Sequence, residues 1–153
     1  MITVTLDRSR LQLNANGASA TLLLDRAQTF TLGTEVYRIS KQGVFNRSLA
    51  LWEGDILLAS AQKENFFYGG DEWKLSCTKF WSELEYTLCK GYDPVGFIRS
   101  SRGWVSALLG SGVSGFKEIH VDLPEKFPMA VQFFLAWLAC YLWSTDHAGT
   151  GGD

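Results

Sequence analysis

Histidine and cysteine are scarce in this chain: His120 and His147 are its two histidines, and Cys77, Cys89 and Cys140 its three cysteines. The histidines lie far from the cysteines and no CxxC pair occurs, so no metal site is expected. Three unevenly spaced thiols build no disulfide framework, and Cys140 reads as a small core residue. A basic excess is lacking too. Fourteen Lys and Arg against sixteen Asp and Glu give a net charge of −2, which argues against a nucleic-acid binder. The N-terminus has no basic segment followed by an apolar run, so no signal peptide is expected and the cytoplasm is the expected compartment. Helical periodicity is absent before Pro124.

What the sequence does have is one oily stretch, Phe127–Trp143, with no charge and a single amide, Gln132. A helix drawn through it is apolar on every face and has to be buried, in its own protein or in a bilayer. Pro128–Ser144 spans 17 residues, roughly 25 Å of helix. A bilayer core is about 30 Å thick and takes about 20 residues. The stretch therefore suits a protein core better. Pro128 is tolerated as the first helical residue, and Gly149 is the expected stop signal. A helix over 128–144 follows, with 1–146 as a single domain and 147–153 as a flexible tail.

Everything upstream breaks into short apolar or alternating runs separated by Gly, Asn, Asp and Ser. Strands are expected at Ile2–Leu6, Leu11–Asn14, Ala20–Leu24, Gln28–Leu32, Glu35–Ser40, Leu49–Trp52 and Ile56–Lys63. Others are expected at Phe66–Tyr68, Trp73–Thr78, Leu84–Lys90, Val95–Ser100, Trp104–Leu109 and Phe116–Leu123. One strand and turn per roughly 8–12 residues is the pattern of a sandwich or barrel. Alternation sets Tyr37 and Ile39, then Trp73, Leu75 and Cys77, then Tyr86 and Leu88 on inward faces. Strands about 4.8 Å apart and tilted about 40° close at a radius of roughly 8 Å for eight strands and 12 Å for twelve. A helix packs about 10 Å from a sheet, so about twelve strands are needed to wrap one. The fold class expected is mainly β: a closed antiparallel barrel of about twelve strands enclosing one hydrophobic C-terminal helix.

Several phrases fit this arrangement: Phe30-Thr-Leu-Gly, Tyr37-Arg-Ile-Ser-Lys-Gln-Gly, Trp73-Lys-Leu, Tyr86-Thr-Leu-Cys-Lys-Gly, Val95-Gly-Phe-Ile, and Leu123-Pro before the apolar helix. With these the chain resembles the tubby C-terminal-like superfamily, which includes tubby proteins, phospholipid scramblases and plant LURP-one-related proteins. It is most similar to small members without long N-terminal extensions. The resemblance implies a barrel of about twelve antiparallel strands around a hydrophobic C-terminal helix. For function it implies head-group binding on the outer face, as in tubby domains, or action at membranes, as in scramblases. No tubby head-group residue carries over position by position.

Dense anions need clustered guanidinium or ammonium groups, ideally with backbone N–H donors. Arg99, Ser100, Ser101 and Arg102, in one turn, are the best local candidates, and Lys117 is expected to approach from another strand. Lys41 and Arg47 flank a second turn. The bland reading of each is solvated loop charge, and Glu83 and Glu85 weaken the local field. A nucleophile with a base is the minimum for covalent catalysis. The sequence offers a Cys89–His120 pairing without spacing support, while Asp71, Glu72, Glu83 and Glu85 read as solubilising acids. No catalytic residues and no cofactor are expected. The aromatic loop Asn65-Phe-Phe-Tyr-Gly-Gly reads as rings packed at a barrel rim, with a membrane- or partner-contacting tip as its rival.

The expected function is a non-catalytic binding module recognising anionic phospholipid head groups, or a protein partner, on the outer barrel face. No nucleic acid and no membrane insertion are expected. Two alternatives stand beside it: a tail-anchored membrane protein with 128–144 spanning the bilayer, and an enzyme of unknown reaction.

Overall fold

A computed structural model describes residues 2–42, 48–77, 84–100 and 116–151. The strands rise and fall in chain order: β1 (Ile2–Asp7), β2 (Arg10–Ala15), β3 (Ala18–Leu23), β4 (Gln28–Leu32), β5 (Glu35–Gln42) and β6 (Ser48–Glu53). They continue as β7 (Ile56–Gln62), β8 (Asn65–Tyr68), β9 (Asp71–Cys77), β10 (Glu85–Lys90), β11 (Asp93–Ser100) and β12 (Phe116–Asp122). The paired strands are antiparallel, in the order β3-β2-β1-β12-β11-β10-β9-β8-β7-β6-β5-β4. This 12-stranded sheet curls into a nearly closed barrel whose free edges are β3 and β4. Helix α1 (Met129–Gly151) follows β12 and fills it. The expected segment Trp104–Leu109 lies outside the described residues.

Strict alternation makes these strands. In β1 the residues Ile2, Val4 and Leu6 are buried, and in β2 Leu11, Leu13 and Ala15 are, while Arg10, Gln12 and Asn14 face water. The turn joining β2 to β3 is Asn16-Gly17, with φ of 48° and 83°. That left-handed pair matches the twist of a two-residue hairpin. Trp73 and Leu75 are buried as alternation requires, but Cys77 is exposed, because β9 ends there at the barrel rim. Between β11 and β12 the backbones approach closely. A Cβ at Gly96 would stand 2.5 Å from the Asp122 carbonyl oxygen.

The helix is covered on all sides: every residue from Phe133 to Cys140 is 0% exposed. Five of its side chains, Phe133, Phe134, Leu135, Trp137 and Leu138, together contribute on the order of 10 kcal/mol by burial, comparable to the whole net stability of a domain. No helix among the described residues is long and apolar enough to cross a membrane. The segment that the tail-anchor alternative would place in lipid is enclosed by strands instead. The Pro128 carbonyl accepts the Gln132 amide at 3.0 Å, so the proline sits at the helix boundary, where its missing N–H has no partner to lose. The one amide in the oily stretch is satisfied there, since Gln132 Nε2 donates to the Phe127 carbonyl at 2.8 Å. At the other end the helix runs on to Gly151 rather than stopping at Ser144. Thr145 Oγ1 donates back to the Tyr141 and Leu142 carbonyls at 3.0 and 3.1 Å. Residues 147–151 continue the helix.

Two side chains stitch the seam. The β3 and β4 edges share no ladder, but the Gln28 amide takes the place of a strand partner for Leu23. Its Oε1 accepts the Leu23 N–H at 2.7 Å, and its Nε2 donates to the Leu23 carbonyl. Trp137 Nε1, from the enclosed helix, donates to the same carbonyl at 2.9 Å. One backbone oxygen thus ties both barrel edges to the helix. Gln28→Ala should lower stability by about 1–3 kcal/mol, because it strands partly buried backbone groups. Gln12→Ala, which removes an exposed side-chain bond to Thr21, should change it by no more than about 0.5 kcal/mol. Urea unfolding of the two variants makes the comparison; equal small effects would show that the seam does not depend on Gln28.

Candidate functional site at the rear mouth of the barrel

The strands create two mouths, a front one at the N-terminus of α1 and a rear one at its C-terminus. The front is plugged by aromatic rings: Trp73 and Phe127 lie edge to face at 5.2 Å, with Phe66 and Tyr68 against both. Lys90 and Lys126 each place their ammonium 5.4 Å from the Trp73 ring centre. In the aromatic loop Phe66 is fully buried and Phe67 points outward, 37% exposed. Alternation splits the two neighbours.

The anion-binding residues expected from sequence are only partly assembled. Arg99 is on the outer face, in register with Glu85 on one side and His120 on the other. Its guanidinium carbon lies 4.2 Å from the Phe97 ring centre. Ser100 is engaged elsewhere, its N–H and hydroxyl both directed at the Leu84 carbonyl at 2.7 and 3.3 Å. Ser101 and Arg102 lie outside the described residues, as does Arg47. Lys117 pairs in register with Leu6, in the row that alternates with the row of His120 and Arg99. Nor does the register join Cys89 to His120. The row of His120 meets β10 at Glu85, and Cys89, four residues further along, is roughly 13 Å away along the strand.

What the fold does assemble is a separation of charge. An up-and-down barrel sends alternate turns to opposite mouths. The front receives Glu35, Glu53, Asp55, Asp71, Glu72, Asp93, Asp122 and Glu125; its basic residues among those described are Lys90 and Lys126. Burial raises the Tyr37 hydroxyl pKa there, and the nearby Glu53 and Glu35 carboxylates add to the rise. The rear receives Arg8, Arg10, Arg26, Lys41, Lys63 and Arg99 against Asp7, Asp25, Glu64 and Glu85. The Arg26 guanidinium, hydrogen-bonded to Asp25 at 3.1 Å, holds that carboxyl below its usual range. Lys41 places its ammonium 4.9 Å over the Tyr141 ring.

A cavity of about 520 Å³ opens at this rear mouth, beside the emerging helix. Leu49, Leu75, Tyr86, Tyr141 and Leu142 supply its apolar wall, and Lys63, Glu64, Lys74, Ser76, Cys77 and Thr145 its polar one. Lys63 sits at φ 55° in the turn between β7 and β8. Lys74 Nζ lies 3.9 Å from Glu64 Oε1, with both side chains half exposed. A smaller cleft, about 210 Å³, adjoins Ser9, Asp25, Lys41, Tyr141 and Ser144. The front cleft, by contrast, includes Asp122 and Glu125. Among the described residues no group of three or more His, Cys, Asp or Glu could hold a metal ion. The rear site can hold an anion against an apolar wall. Sequence reasoning singled out neither Lys63 nor Lys74; the alternation of turns between the two mouths is the signal that would have found the basic rim.

Compared with known proteins, the chain matches no protein-family model, no curated protein and no solved structure.

Thiol chemistry separates the rear rim from the core. Complete burial pushes the Cys140 thiol pKa far up, whereas Cys77 is exposed at the cavity edge. Since the thiolate is the reactive form, native alkylation followed by peptide mass spectrometry should label Cys77 and leave Cys140 untouched until denaturant is added. Labelling of Cys140 in the native protein at the rate of Cys77 would contradict its burial.

Proposed function

We propose that the chain is a non-catalytic binding module that presents the rear mouth of its barrel to anionic phospholipid head groups. The observation that carries this reading is the bias of charge along the barrel among the described residues: eight acids against two lysines at the front, six arginines and lysines against four acids at the rear. A net charge of −2 conceals that polarity. An anionic surface attracts each nearby Lys or Arg by about 1 kcal/mol, and it would orient a molecule polarised in this way with its basic end inward. The outer-face residue Arg99 belongs to this rim, so the reading retains it and adds Arg8, Arg10, Arg26 and Lys63. A twelve-stranded barrel around a buried C-terminal helix is also the fold that the resemblance to the tubby-like superfamily implies, and the tubby members of that superfamily bind head groups on the outer face.

A protein partner is the second reading, and a different patch favours it. On the outer face of β5–β8 the residues Val36, Leu57 and Phe67 are 55%, 50% and 37% exposed. Trp52 lies among them, paired in register with Leu57 and with the Arg38 guanidinium 5.2 Å over its ring. Tryptophan and arginine together are the residue types that dominate protein interfaces.

Flotation with vesicles separates the two. Wild type should float with phosphatidylcholine vesicles containing phosphatidylserine and stay behind with phosphatidylcholine alone. Raising the salt to about 0.5 M should release it. The triple variant Arg10→Glu, Arg26→Glu, Arg99→Glu should lose binding by about a hundredfold or more. Absence of wild-type flotation, or equal flotation by the triple variant, would overturn the head-group reading.

A further inference from the structure

We infer that the rear cavity binds a single-chain anionic amphiphile, a long-chain carboxylate, with its tail along the apolar wall and its carboxylate at Lys63. At about 520 Å³ the cavity is within the range of about 300–1,000 Å³ typical of small-molecule sites, which are mostly apolar with a few fixed polar groups. Five apolar side chains, Leu49, Leu75, Tyr86, Tyr141 and Leu142, line it beside six polar ones. Leu49, Leu75, Tyr86 and Tyr141 belong to the buried core, so the cavity floor is continuous with it.

Charge at the opening selects the head group. Lys74 is already drawn toward Glu64, whereas Lys63 has no ion-pair partner among the described residues. Lys63, Lys74 and Glu64 together carry one net positive charge. A monoanion neutralises it and a phosphate dianion overshoots it. An ammonium is also a point charge that accepts any carboxylate approach, unlike the fork of an arginine that favours bidentate phosphate. A neutral head would gain no charge pairing, and a cationic one would have to compete with Lys74 for Glu64 against a net positive rim. This inference goes beyond the head-group reading and does not rest on it, since a monomeric carboxylate needs no membrane.

Calorimetric titration of the full chain with monomeric laurate, below the concentration at which it forms micelles, tests the inference. Laurate should bind one to one, acetate should not bind, and dodecyltrimethylammonium should bind about tenfold more weakly or worse. Lys63→Ala, an exposed turn substitution, should weaken laurate by about tenfold and leave the urea transition unchanged. Thr145→Trp, which fills the opening from the helix, should abolish binding while the urea transition confirms the fold. The triple variant at Arg10, Arg26 and Arg99 should still bind laurate even where vesicle flotation fails, which distinguishes this site from the membrane-facing rim. Equal binding of laurate and the ammonium amphiphile, or laurate binding unaffected by both Lys63→Ala and Thr145→Trp, would overturn it.

Discussion

A rod with no polar side has to be covered on every side, and this requirement organises the molecule. From Phe133 to Cys140 the helix meets no water at all. A flat sheet could cover one face of it and a narrow barrel could not admit it. Twelve strands supply a ring of roughly 12 Å radius, wide enough for the helix and its side chains but not for a channel beside them. The inward residues of every strand then become one continuous core with the helix at its centre.

Closure is the difficult step for such a ring, because the first and last strands of the sheet order must meet. Here they meet without a ladder. The Gln28 amide imitates a strand partner for Leu23, and the Trp137 indole anchors the same carbonyl from within. Burying an indole N–H is costly without an acceptor, so the helix and the seam satisfy each other. Neither the barrel edges nor Trp137 would be fully paired without the other. At the front, the Trp73, Phe127, Phe66 and Tyr68 rings pack together over part of the opening, beside a cleft at Asp122 and Glu125. The rear stays open around the emerging last turns of the helix, and the cavity lies there.

Much of the fold was legible because alternation and apolarity are local signals. Leu11, Leu13 and Ala15 against Arg10, Gln12 and Asn14 declare a half-buried strand on inspection, and the absence of any polar face over Phe133–Cys140 declares a buried helix. Strand ends were less legible. Cys77 continues the alternation of Trp73 and Leu75, yet it is exposed, since burial at a rim depends on where the barrel stops. The helix end was less legible too: Gly149 is a stop signal in sequence, yet the helix runs on to Gly151. The candidate site was legible only in part. Arg99 and Lys117 are both basic and lie on neighbouring antiparallel strands, but register, which no local pattern reports, places them in alternating rows. The charge sorting between the mouths was present in the sequence all along, since turns of an up-and-down barrel alternate ends; reading it requires knowing the strand count first.

The separation of an acidic front from a more basic rear gives the barrel a direction, and both proposed activities use the rear. Each depends on the helix staying inside, because its Tyr141, Leu142 and Thr145 form one wall of the cavity and its removal would dissolve the core. Native-state hydrogen exchange of the amides from Phe133 to Cys140 is the most direct measurement of that. An enclosed helix exchanges only when the whole barrel opens, so these amides should share the slowest rate with the interior strands β1, β11 and β12. Exchange of the helix orders of magnitude faster than those strands would show that it leaves a barrel that persists without it, and would contradict the structure's organising constraint.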